Sequence, residues 1–96
     1  MGIAATQARL MMVTRYQSDL EFGMQMISQK RTVLAYQAQS AAENYPELAA
    51  QYHTMDKKLE AEMQTLQTQQ KMVSTEYESV KKTLDENISR SMKYMS

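Results

Sequence analysis

The sequence predicts an all-α protein, a long antiparallel helical hairpin of coiled-coil type that assembles with other subunits. Three observations lead there. Good helix formers dominate, with ten methionines and eleven glutamines beside plentiful Ala, Leu, Glu and Lys, while there are only two glycines and one proline. Apolar residues recur at steps of three and four along most of the chain. One strong punctuation point, Ala42-Glu43-Asn44-Tyr45-Pro46, divides it. The 96 residues make a single hairpin over the whole chain, with a first helix over about 4–42, a turn at 43–46 and a second helix over about 47–95.

The turn is justified residue by residue. Proline disfavours helix at the preceding Tyr45. Asn44 is suited to end a helix in the left-handed conformation or to cap the next one. Pro46 fits a first helical turn, with Glu47 at its positive end. So short a connection makes the two helices antiparallel neighbours.

In the first helix Ile3, Leu10, Val13, Gln17, Leu20, Met24, Ile27 and Leu34 form one stripe. Met12, Tyr16, Phe22, Met26 and Val33 widen it beyond what one partner helix covers. Gly23 costs about 1 kcal/mol of helix propensity; it allows a close approach or a bend, or is simply tolerated at the surface. In the second helix the stripe runs Leu48, Tyr52, Met55, Leu59, Met63, Leu66, Gln70, Val73, Tyr77, Val80, Leu84, Ile88, Met92, Met95, at a mean spacing close to that of a straight helix. Uninterrupted by glycine or proline, that helix would be about 73 Å long. Glu78–Lys82 and Glu86–Arg90 are favourable i,i+4 pairs.

Composition excludes much. There is no cysteine, so no disulfide framework, thiolate metal site or cysteine nucleophile. The single histidine, His53, has Asp56 at i+3, which reads as a surface histidine near an acid rather than a metal site. The Glu-x-x-His signature of bundle metal centres is missing. Glu60, Glu62, Glu76 and Glu78 fall on solvated helix faces, and no loop is long enough for an oxyanion hole. The expectation is therefore no enzyme, no catalytic residue and no cofactor or metal. Eleven basic residues balance eleven acidic ones, and the pairs Lys30-Arg31, Lys57-Lys58 and Lys81-Lys82 are isolated, so nucleic acid is not an expected partner. No stretch approaches the roughly 18 apolar residues of a membrane span.

The longest apolar run near the start, Leu10-Met11-Met12-Val13, is short against a signal-peptide core of about 7 to 15 residues. The expected location is outside the cell or at its surface, by export that needs no cleaved signal; the alternative is the cytoplasm. Gly2 and Thr6 fit a myristoylation pattern, and Asn87-Ile88-Ser89 a glycosylation sequon. Both patterns recur by chance, and both lie in helical sequence.

Pro46-Glu47-Leu48-Ala49-Ala50-Gln51-Tyr52 after a polar turn resembles the second-helix start of type III secretion needle proteins, and Ser79-Val80-Lys81-Lys82-Thr83-Leu84-Asp85-Glu86-Asn87-Ile88 is similar to the closing helix of that family. The resemblance covers about half the chain. It implies a small hairpin, exported without a cleaved signal, that polymerises into a hollow helical filament. The second arm is longer than is usual for needles. The opening, Met1-Gly2-Ile3-Ala4-Ala5-Thr6-Gln7-Ala8-Arg9-Leu10, resembles instead a group of small bacterial helical proteins of unassigned role and, more faintly, flagellar axial proteins.

The expected function is a structural subunit of a bacterial secreted filament or secretion apparatus, with itself as partner and an export chaperone as a further one. The expected contact residues are Val80, Leu84, Ile88, Met92 and Met95 in the second helix and Leu10, Val13, Leu20, Met24 and Ile27 in the first, with Asn44 and Pro46 shaping the turn. One alternative is a secreted hairpin dimer of the WXG100 type. The chain lacks that family's tryptophan turn and its Tyr-x-x-x-Asp/Glu export signal, since Lys81 follows Tyr77 at the fourth position. Another is a cytosolic helical adaptor or chaperone that holds a partner in an apolar groove.

Overall fold

The computed structural model describes residues 2–95. The protein is an all-α helical hairpin of two helices, α1 (Ile3–Ala41) and α2 (Pro46–Met95). Both boundaries of the connection fall one residue earlier than the sequence pattern suggests. The turn is built without any left-handed residue, so Asn44 does not end α1 in that conformation. Instead the Tyr45 N–H donates to the Ala41 carbonyl at 2.8 Å, and the Tyr45 carbonyl accepts from the Ala49 N–H at 3.0 Å. Tyr45 thus closes α1 and opens α2. Pro46, which has no N–H to leave unpaired, takes the first position of α2.

Threonine is a weak helix former, yet the helices hold many. At Thr14, Thr32, Thr54, Thr65, Thr68, Thr75 and Thr83 the hydroxyl donates back to the carbonyl four residues earlier, which satisfies it without leaving the helix.

The chain divides into two compact units. The turn-proximal unit is Glu21–Thr68, and the terminal unit combines the residues up to Leu20 with those from Gln69 onward. In the turn-proximal unit Ile27, Leu34, Ala38, Ala41 and Ala49 are buried, with Met24, Tyr52, Leu59, Met63 and Leu66 half-buried around them. In the terminal unit Val13, Leu20, Val73 and Val80 are buried, as is Thr6.

Along α1 the protected positions include 3, 6, 10, 13, 17, 20, 24, 27, 31, 34, 38 and 41, with Gly23 beside them. Along α2 they include 49, 52, 56, 59, 63, 66, 70, 73, 77, 80, 84, 87 and 91. Both series alternate threes and fours without a break, which is a seven-residue repeat and the period of a coiled-coil seam. This corrects the reading of α2. A stripe drawn at 3.6 residues per turn meets the seam from Leu59 to Leu84 and leaves it at both ends. There the seam uses Ala49, Asp56, Asn87 and Ser91, and the neighbouring Leu48, Met55, Ile88 and Met92 are exposed.

Candidate interaction surface

The seam is closed by its own side chains, polar layers included. In the turn-proximal unit Arg31 and Asp56 are both seam residues. The Arg31 Nε and Nη2 donate to the two Asp56 carboxylate oxygens at 2.8 and 3.3 Å, and Glu60 lies 3.9 Å from the same guanidinium. The guanidinium hydrogen bonds hold the Asp56 carboxyl below the ordinary carboxylate range, against the opposing effect of partial burial, with the charges of Arg31 and His53 adding to it. The same bond raises Arg31 further. Asp56 is thereby paired with Arg31 across the seam. Among the described residues no three His, Asp or Glu side chains converge as a metal site.

In the terminal unit the Thr6 hydroxyl accepts from the Asn87 amide at 3.2 Å and donates to the Gly2 carbonyl at 3.0 Å. Gln17 donates to Ser74 at 3.4 Å, and Arg9 pairs with Glu76 at 3.2 Å on the solvent side.

The structure separates the expected contact residues into two groups. Val13, Leu20, Ile27 and Val80 are buried, and Leu10, Met24 and Leu84 half-buried, all at seam positions. They are occupied within the chain, because a seven-residue repeat turns every such position toward the partner helix. Ile88, Met92 and Met95 are exposed, the last two by 66% and 86%. The sequence reading put Tyr94 in neither group, yet it continues the α2 seam beyond Ser91 and is 89% exposed. Of the turn residues, Asn44 lies in the connection and Pro46 opens α2.

The surface open to another molecule includes the residues that widen the α1 stripe. In the turn-proximal unit they gather on one flank. Met26, Val33 and Met55 wall a groove of about 650 Å³ over Leu34 and Leu59, edged by Lys30, Lys58 and Glu62. Nearer the turn, Tyr36, Tyr45, Leu48 and Tyr52 line a second groove of about 350 Å³. The other flank, around Ala35, Gln39, Ala42 and His53, carries no large exposed apolar side chain. Phe22 stands on the outward face of α1, 65% exposed. In the terminal unit Met11, Met12 and Met72 are exposed on the outside of the helices.

Gly23 is a point of close approach in the turn-proximal unit. A Cβ there would stand 3.3 Å from the Leu66 Cδ1. Among the described residues no helix is long and apolar enough to cross a membrane.

This fold and surface define a helical hairpin with a filled seam and apolar outer side chains. No family model matches the chain, and neither does any curated protein or solved structure.

Proposed function

We propose that this protein is a structural subunit that assembles with copies of itself, as a bacterial secreted filament or part of a secretion apparatus. The observation that carries the reading is the apolar flank of the turn-proximal unit. Met26, Val33, Tyr36 and Met55 stay in water although the seam beside them is filled, and Phe22 is exposed on the outward face of the same unit. Side chains of this kind, clustered rather than scattered, mark interaction surfaces. Methionine, the commonest among them, packs against varied partners.

The accessible area supports the same reading. The chain exposes 7546 Å², where a compact monomer of 11.1 kDa exposes roughly 5,700 Å². The surplus, about 1,900 Å², is of the size one partner contributes to an obligate interface. The balanced net charge opposes self-packing only weakly. Secretion by a route without a cleaved signal belongs to this proposal through the needle resemblance of the second half, with residence in the cytoplasm as the alternative.

Negative-stain microscopy of the purified full-length chain, beside a Phe22→Ser/Met26→Ser/Val33→Ser variant, tests the assembly. Uniform polymers that the variant lacks are expected. Small discrete particles from both chains would favour a dimeric hairpin or an adaptor and contradict the proposal.

A further inference from the structure

The outer flank is one assembly surface, and the distribution of charge singles out two more. Between Arg31 and Asp56 the only charged side chains, His53 aside, are Glu43 and Glu47, one in the turn and one in the first turn of α2. Residues 87–95 carry Arg90 and Lys93 and no acid. The helix dipoles do not reverse this contrast, because each end of a hairpin joins the start of one helix to the finish of the other and their partial charges oppose.

The apolar surfaces follow the same division. The groove of Tyr36, Tyr45, Leu48 and Tyr52 shares Tyr45 and Leu48 with the hollow that Glu47 lines. Beside the two cations, α2 runs on past Asn87, which bonds Thr6 in the first turn of α1, as an extension from Ser91 to Met95. Met92, Tyr94 and Met95 on that extension are the most exposed apolar group of α2. Tyr94 holds the next position of the seam repeat, so the extension prolongs an interface already formed between α1 and α2.

Resting on the self-assembly reading, we infer that the α2 extension of one copy docks in the turn groove of the next. Met92 and Met95 pack against the tyrosine rings of the groove, a favourable sulfur–aromatic pairing, and Arg90 and Lys93 face Glu43 and Glu47. The two surfaces differ, so the contact is heterologous. Each added copy presents a new groove or a new extension, and the series is open unless its rotation closes a ring.

Charge reversal tests this with the full-length chain. Glu43→Arg/Glu47→Arg makes both surfaces basic, and Arg90→Glu/Lys93→Glu makes both acidic. All four residues are exposed, so helicity by circular dichroism is expected to stay at the wild-type level. Sedimentation velocity of each variant alone should show that assembly needs about tenfold more protein, or more, than the wild type. An equimolar mixture should recover assembly, because each basic groove then meets an acidic extension and each acidic groove a basic one. Wild-type assembly matched by both variants, or variants that stay small in the mixture, would overturn the end contact and leave self-assembly standing. A wild-type chain that stays monomeric at every concentration would remove both.

Discussion

Arg31 and Asp56, 25 residues apart in sequence, form a two-bond ion pair at facing seam positions of the turn-proximal unit. Each would otherwise be a half-buried charge in an apolar seam. A slip of one seam layer would set Arg31 against an apolar residue and strand Asp56, so the pair selects one register among those that Leu, Met and Ala alone would tolerate.

The pair has a definite pH dependence. Asp56 has its carboxyl pKa lowered in the folded state, chiefly by the Arg31 hydrogen bonds. Its contribution is therefore complete above the unfolded-state value, about pH 4, and is lost as pH falls through the lowered folded value. Arg31 stays charged throughout. Asp56→Asn is expected to melt below the wild type at neutral pH, with the gap narrowing from about pH 4 downward. Thermal melts of both chains across that range check it; a gap independent of pH would contradict the assignment.

The Thr6–Asn87 layer predicts a different pattern. Thr6→Val keeps the shape but removes the acceptor for the Asn87 amide, at a cost of about 1 kcal/mol. Thr6→Val/Asn87→Leu removes both members of this hydrogen bond and should recover part of that loss, since neither is then left facing an apolar neighbour. Urea unfolding of the two single variants and the double yields the coupling.

Gly23→Ala opposes two effects. Alanine gains about 1 kcal/mol of helix propensity, while the new methyl meets the Leu66 Cδ1 at 3.3 Å. That atom is the tip of a half-buried, rotatable side chain rather than backbone, so propensity should prevail and Tm should rise. Gly23→Val, bulkier and a poorer helix former, should lower it.

Seam and flank should respond in opposite ways. Ile27→Ala empties a buried seam position and should cost about 2 to 4 kcal/mol in folding. Met26→Ser, next to it but on the outer flank, should change folding by no more than about 0.5 kcal/mol while weakening assembly. Denaturant titration at a concentration too low for assembly separates the two, because association adds to apparent stability.

The fold was legible in the sequence because its signals agree: Pro46 marks the turn, and every seam residue of α1 that the stripe names is protected. The seam of α2 was harder to read for one reason. A search for apolar residues skips polar and very small ones, and Ala49, Asp56, Asn87 and Ser91 are of those kinds. At each of them the reading moved to an apolar neighbour, one residue away, which the structure exposes. Arg31 and Thr6 were missed in the same way. Pairing across a seam depends on the opposite helix, and no single-helix pattern contains it. A seven-residue repeat, which Leu59 to Leu84 already keeps, places Ala49, Asp56, Asn87 and Ser91 on the seam but does not say which α1 residue each one meets.

Sedimentation velocity of the full-length chain over a wide concentration range tests the central claim most directly. Outer-flank self-assembly predicts an average mass that climbs steadily above 11.1 kDa without reaching a plateau. A single 11.1 kDa species at every concentration, or a rise that stops at a dimer, would contradict it.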